Sequence, residues 1–381
     1  RFDADTHSPV GMSADTGIGY YIGLMSGTSL DGIDGVLAHF DVNGLPTQIC
    51  TATTEMPKTL RGELQSLNAP GENEIHRSAL AANAISDLYA SVVSQLLQQA
   101  NLAASEIVAI GAHGQTIRHR PELGYTTQLL APALLVELTG ICVIADLRSR
   151  DIAAGGQGAP LVPAFHRAVF GTETARNILN LGGIANVTLL RPDEPVTGFD
   201  TGPANLLLDL WCERHTHNSY DLDGQWAAQG QVNEALLEYL LESEHWFDMP
   251  PPKSTGRDQF NAAWLDQRLD AFDALDPVDV QATLAALTAR TVTRALALAN
   301  ASEAPIFACG GGARNSYLMR CLEQAHHANV QTTEALGVGT QDMEALAFAW
   351  LAWAHVNKNA GNLKEVTGAV GARRLGACWP A

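Results

Sequence analysis

Gly23-Leu24-Met25-Ser26-Gly27-Thr28-Ser29-Leu30-Asp31-Gly32-Ile33-Asp34-Gly35-Val36-Leu37 sets a short turn of small and hydroxylated residues between two apolar runs. Residues 20–25 and 33–40 are rich in apolar and β-branched side chains, so they read as two strands joined by turn chemistry. The tip suits a phosphate. Gly27 lets an anion approach the backbone, and the hydroxyls of Ser26, Thr28 and Ser29 add donors to the amides. Asp31 and Asp34 suit a divalent ion, held directly or through water, and Leu30, Gly32 and Ile33 complete the cradle. The same spacing also fits an ordinary β-hairpin with a polar tip, since glycine and serine mark turns everywhere. No Gly-Lys dipeptide occurs in the chain, which excludes a GxxxxGK[ST] loop. A nucleotide would therefore be held by hairpins and helix ends.

The 381 residues are enough for about two domains, each with a core of its own. With 41 acidic against 23 basic residues, the net charge of −18 argues against nucleic acid or an anionic membrane as partner. A small phosphorylated ligand needs only local donors and is compatible with that charge. Cys50, Cys142, Cys212, Cys309, Cys321 and Cys378 are scattered without a CxxC pair, as expected in a reducing cytosol, and indicate neither a disulfide framework nor a zinc site. Residues 1–19 lack a signal-peptide core and read as a disordered or loosely attached extension, with Met12 one candidate start. No run reaches the ~20 apolar residues of a membrane helix.

The remainder alternates helix and strand. Residues 74–104 are helical, 107–111 form a short apolar strand, and 136–140 lead into the apolar run 141–145. A helical stretch follows residues 155–158. The strand-turn-strand pattern then returns roughly 150 residues after the first, in Ile178-Leu179-Asn180-Leu181-Gly182-Gly183-Ile184-Ala185-Asn186-Val187. Asn180, Gly182 and Gly183 there repeat the logic of the first tip, which implies two related lobes around one cleft. A long helix over 278–300 feeds a buried strand ending in Gly310-Gly311-Gly312-Ala313-Arg314-Asn315, ahead of a helix over 316–328. Three glycines before a helix let a flat ring such as adenosine lie against the backbone, although a plain strand-to-helix turn has the same composition. A helix over 341–355 and a short tail end the chain.

Hairpin, second hairpin and GGGxxN turn together resemble the acetate and sugar kinase, heat-shock ATPase and actin superfamily. Within it, residues 25–34 resemble the signature of the 1,6-anhydro-N-acetylmuramic acid kinases. The same resemblance is carried by His113-Gly114-Gln115-Thr116, Ala145-Asp146-Leu147-Arg148, residues 155–163, residues 180–186, Gly198-Phe199-Asp200-Thr201-Gly202-Pro203 and Lys253-Ser254-Thr255-Gly256-Arg257. It covers the chain from about Tyr20 onward. One stretch departs: Gln128-Leu129-Leu130-Ala131-Pro132 lacks the glycine and polar residue usual there, which puts the local loop geometry in question.

The resemblance implies an α/β fold of two RNase H-like, actin-like ATPase lobes around a central ATP and sugar cleft. The expected division is 20–175 for the first lobe, 176–340 for the second, and 341–381 for a crossing helix and tail. It also implies ATP and Mg²⁺ as cofactors, a small amino-sugar substrate, a bacterial cytoplasmic location and a homodimer. The implied reaction transfers phosphate to O6 while water opens the 1,6-anhydro bridge. Asp200 is the expected base, accepting a proton from water, although an Asp there also suits the cap of a helix starting near Pro203. His113, Gln115 and Thr116 are expected at the sugar pocket, and Glu344 as an acceptor for the sugar's amide or hydroxyl. Lys253 and Arg257 suit the lactyl carboxylate or a helix cap. Another sugar or carboxylate kinase of the superfamily, or an ATP-driven scaffold, shares the fold alone. The HGQT, FDTGP and KSTGR runs favour a polar substrate pocket.

Overall fold

The computed structural model describes residues 17–27, 30, 32–251, 253–257 and 259–381. Thr28, Ser29 and Asp31 of the first tip, and residues 1–16 of the expected extension, lie outside the described residues. The opening apolar runs pair as β1 (Gly19–Ser26) and β2 (Gly32–Phe40), antiparallel from Gly19 opposite Phe40 to Ser26 opposite Ile33. β3 (Pro46–Glu55) adds to β2, and then α1 (Lys58–Leu67) and α2 (Glu74–Ala100) carry the chain back across the sheet. That crossover lets β4 (Ile107–Ala112) run parallel to β1. A ribbon of β5 (Gln115–Arg120) and β6 (Tyr125–Leu129), then α3 (Pro132–Thr139), precede β7 (Val143–Ala145), parallel to β4.

The second lobe repeats this plan. After α4 (Ser149–Ala153) and α5 (Val162–Phe170), the strands β8 (Arg176–Leu181), β9 (Ile184–Leu190) and β10 (Thr197–Pro203) form an antiparallel meander. α6 (Asn205–Thr216), α7 (Glu234–Glu242), α8 (Ala262–Leu269) and α9 (Pro277–Leu298) share one core with it. β11 (Ile306–Cys309), α10 (Ser316–Ala325) and β12 (Val330–Thr332) complete that sheet. α11 (Met343–Val356), α12 (Lys364–Thr367) and β13 (Ala377–Trp379) end the chain, with β13 antiparallel to β7. The sheets run β3-β2-β1-β4-β7 and β10-β9-β8-β11-β12, so the third, second, first, fourth and fifth strands of each lobe lie side by side in one order. Both lobes are RNase H-like.

Two helices cross between them. α11 is apolar on every side and almost wholly buried, as a helix without a wet face must be. It lies against β1, β2 and β4 of the first sheet. A Cβ on Gly23 would stand 1.8 Å from the Ala345 carbonyl oxygen, and one on Gly111 2.0 Å from that of Phe348, so only glycine admits the helix there. α5 packs the other way, on β9, where His166 Nδ1 lies 2.9 Å from the Thr188 hydroxyl. One core, with Tyr21, Phe165, Ile178, Cys309 and Phe348, therefore runs through both lobes.

Several boundaries differ from the sequence reading. The helix expected to reach residue 104 stops at Ala100, because Asn101 turns left-handed at φ 53° and closes it. The helix expected to reach residue 328 stops at Ala325, where His326 is already extended toward β12. The tail, in which the sequence reading placed no strand, supplies the edge strand β13. None of the six cysteines is in a disulfide, and Cys142 and Cys378 bring their sulfurs to 3.2 Å across β7 and β13. Among the described residues no helix is long and apolar enough to cross a membrane.

Candidate active site

The first tip is braced from beneath by the ribbon. Gln115 and Ser26 are both buried; the Ser26 hydroxyl donates to Gln115 Oε1, and the Gln115 amide donates to the Gly27 carbonyl at 3.2 Å. Leu30 sits at φ 59° with its side chain buried, and its N–H returns to the Gly27 carbonyl at 3.1 Å. Thr116, the next ribbon residue, accepts from the Gln128 amide at 3.1 Å. The departing stretch needs no glycine, since Leu130, at the glycine's place, has no positive φ, and Ala131 next to it exchanges hydrogen bonds with Ser86 of α2 at 3.0 and 3.2 Å. Asp34 is exposed beyond the tip and accepts from the Thr53 hydroxyl at 3.0 Å.

His113, Arg148 and Glu344 meet where β4 and β7 end and α11 begins. Arg148 Nε and one terminal nitrogen lie 3.1 and 3.0 Å from His113 Nε2, and the other donates to the Gly158 carbonyl at 2.8 Å. Burial first, with the Arg148 charge adding, pushes His113 down to about 3. The imidazole is therefore neutral, and its Nε2 lone pair serves Arg148 instead of a substrate proton. Burial pushes the Glu344 carboxyl up, Arg148 draws it back, and Asp34 adds to the rise. Burial also raises Asp342, which accepts from the Gln48 amide at 3.2 Å, with Asp34 again contributing. Asp342 thus ties the start of α11 to β3 of the first sheet.

In the second lobe, Asp200 lies in β10, opposite Asn186 and beside an irregularity between Asp200 and Gly202. The helix-cap alternative fails, because α6 begins at Asn205 with Ala204 as its cap. Asp200 instead holds one loop against β10: its N–H donates to the Lys253 carbonyl at 3.1 Å, and its Oδ2 accepts from the Thr255 N–H at 2.9 Å. Burial lifts the carboxyl to about 6 against the opposing pull of the Thr255 hydrogen bond and the Lys253 charge. The Lys253 ammonium is itself buried, donates to the carbonyls of Trp246 and Phe247 at 3.3 and 3.2 Å, and lies 4.3 Å from the centre of the Trp246 ring. Arg257 is exposed at the loop's far end.

The second tip is fastened to α6. Gly182 accepts the N–H of Asn205 at 3.1 Å, and Gly183 accepts those of Ala204 and Leu206 at 2.9 and 3.0 Å. Gly310 has φ +83°, and a Cβ there would stand 2.4 Å from Asn180 Oδ1; a Cβ on Gly312 would stand 2.7 Å from that of Leu181. Gly311 alone is open, facing a cavity of about 460 Å³ bordered by Asn205, Leu208, Tyr220, Leu222 and Asn315. Asn315 also caps α10, accepting the Leu318 N–H at 2.9 Å. The cavity is of nucleoside size and ends at Arg314, which donates to Gln341 at 2.8 Å.

With this geometry in place, the comparison with known families is decisive: the model of anhydro-N-acetylmuramic acid kinase matches residues 19–381. The chain belongs to the anhydro-N-acetylmuramic acid kinase family. The anhydro-N-acetylmuramic acid kinase of Bordetella petrii is 58% identical over 363 residues, covering 95% of this chain and 96% of that one. That of Bordetella pertussis is 59% identical with the same coverage. That of Burkholderia cenocepacia is 53% identical over 369 residues, again covering 95% and 96%.

Seen as a member of this family, the chain groups its expected residues into four sets, one of them His113 and Glu344 around Arg148. Gly27, Leu30, Gln115 and Thr116 form one around the first tip. Asn180, Gly182, Gly183, the three glycines and Asn315 shape the second lobe's cavity and tip. Asp200 joins the Lys253 and Thr255 loop. Arg148 is the member that sequence reasoning did not assign, and its one signal was position: a charged residue just beyond an apolar strand end, where α/β sheets bind ligands. Tyr220 and Leu222 carried no motif and enter the cavity through a loop.

Residues present fit a nucleotide and a hydrated divalent ion. The glycine turn leaves room against backbone, while Asp34, Asp342 and Glu344 offer carboxylate oxygens near the first tip. Among the described residues no group of three or more His, Cys, Asp or Glu side chains is arranged to hold a metal alone. An ion at this place would keep waters and share phosphate oxygens, as Mg²⁺ does.

Proposed function

We propose that the chain is an ATP-dependent kinase that phosphorylates O6 of 1,6-anhydro-N-acetylmuramic acid while water opens the anhydro bridge. The products are N-acetylmuramic acid 6-phosphate and ADP, in cell-wall recycling. One observation carries the mechanism: Asp200 is lifted to about 6 by burial, yet remains ionised at neutral pH with one oxygen fixed by Thr255. That is the state a general base needs. Asp200 takes a proton from the water that attacks C1; the C1–O6 bond breaks, and O6 attacks the γ-phosphorus in line as ADP leaves.

Around that step, the Gly311 cavity holds adenosine and the two tips hold phosphates. Bound Mg²⁺ would neutralise charge on the β- and γ-phosphate oxygens, with Asp34, and Asp31 outside the described residues, as its nearest carboxylates in this reading. Glu344 accepts from the sugar's amide or hydroxyl. Arg148 meets the lactyl carboxylate, because the Lys253 ammonium is already turned into its own lobe. His113 keeps Arg148 in place. The test is ADP release from ATP in the presence of a divalent ion and, separately, anhydro-N-acetylmuramic acid, glucose or acetate. Turnover with the anhydro sugar is expected; turnover with glucose or acetate in its place would overturn the assignment.

A further inference from the structure

Asp151 on α4 has no exposed surface, and a carboxyl that deep needs several donors to satisfy its oxygens. It has three. Oδ1 accepts from Asn362 Nδ2 at 2.5 Å and from the Thr367 hydroxyl at 2.7 Å, both in the C-terminal segment. Oδ2 accepts from the Gly158 N–H at 2.8 Å. The loop is wrapped closely around the carboxylate: a Cβ on Gly156 would stand 2.2 Å from Asp151 Oδ2, and Gly158 has φ +68°. The C-terminal segment closes the wrap, with Gln157 N–H on the Thr367 carbonyl at 2.8 Å and Val370 N–H on the Ala154 carbonyl at 2.9 Å. On its other side Gly158 presents its carbonyl to Arg148 at 2.8 Å.

We propose that Asp151 is a positioning residue for Arg148: acting through Gly158, it fixes the guanidinium at the sugar half of the cleft, and Asn362 and Thr367 complete the brace. This rests on the reading of that half as the sugar pocket. A buried charge is a costly way merely to close a loop, since apolar residues of similar volume often serve stability as well. What the carboxylate adds is direction, because its two oxygens hold a backbone amide and a tail hydroxyl at fixed angles. Of the five Arg148 hydrogens, three are then engaged with Gly158 and His113, which leaves two for another acceptor.

The test is a double-mutant cycle of Asp151→Asn with Arg148→Lys. An Asn side chain turns one amide donor toward the donors that Asp151 accepts, so the Gly158 link or the tail link is lost. The expected result is a fall of up to ~10²-fold in kcat/KM for the sugar, taken mainly in the sugar KM, with the KM for ATP unchanged. The double variant should lose no more than Arg148→Lys alone. Multiplying losses, or an ATP KM that rises in step, would overturn the proposal. Should Asp151→Asn fail to fold, Thr367→Val keeps the carboxylate, removes one donor, and enters the same cycle. A readout without substrate accompanies both: the ¹⁵N Nε signal of Arg148, assigned by its loss in Arg148→Lys, should move in Asp151→Asn or Thr367→Val. An unmoved signal would overturn the proposal even if the sugar assignment stood, and a moved signal would uphold it even if that assignment fell.

Discussion

Asp200 has two properties that pull against each other. Its ordinary carboxyl value of 3.8 rises to about 6 on folding, so the folded state favours the neutral form. Its contribution to stability is therefore present below about pH 4 and is lost as pH rises through about 6, where the ionised carboxylate is useful for catalysis. Asp200→Asn should lower kcat by at least ~10²-fold. It should also melt slightly above the parent at pH 8 and lose that advantage near pH 4, as scanning calorimetry at the two pH values would show. In the parent, kcat should fall with acid on a limb near pH 6. An Asn variant that turns over like the parent would move the base elsewhere, with Glu344 next. At this scale the sequence named Asp200 and the glycines, since each sits in a motif whose residue types explain its chemistry. It left Arg148 without a role because the partners that define that role, His113, Gly158 and Glu344, come from three separated segments. It also left open the direction of Lys253, because a lysine directly before a serine-threonine pair shows nothing of the Trp246 ring beneath it.

Elements were legible where a long pattern or a glycine tip marked them. Both hairpins, α9 and α11 follow from apolar runs and turn residues, with ends shifted by a few positions. β13 was not legible, because Ala377, Cys378 and Trp379 become a strand only by joining the exposed edge of β7. The glycines of β1 and β4 carry a message that only packing discloses. Gly23→Ala should destabilise the protein by ~3 kcal/mol or more, since the new Cβ collides with the backbone of α11; urea unfolding would measure it. Gly311→Val makes the opposite contrast. Its Cβ meets nothing closer than Asn205 Nδ2 at 3.6 Å, so the variant should fold normally while its branches enter the adenosine cavity. Calorimetry should show ATP affinity reduced by at least about tenfold, the equivalent of ~1.4 kcal/mol. Unaltered affinity would remove the glycine turn from the nucleotide site.

For the whole molecule, two related lobes could be anticipated from two hairpins about 150 residues apart, but the packing of α5 on the second lobe's sheet could not. Two crossing helices that share one core permit a hinge, and closing it would keep bulk water from ATP. The radius of gyration from X-ray scattering should shrink when a non-hydrolysable ATP analogue and the sugar are both present; an unchanged radius would indicate a preformed cleft. The coupled reaction itself is tested most directly by mass spectrometry of the product formed from ATP, Mg²⁺ and anhydro-N-acetylmuramic acid in ¹⁸O-water. If water assisted by Asp200 opens the bridge, the sugar phosphate carries one ¹⁸O at C1 and none in its phosphate; an unlabelled phosphate ester with the bridge intact would contradict the coupling.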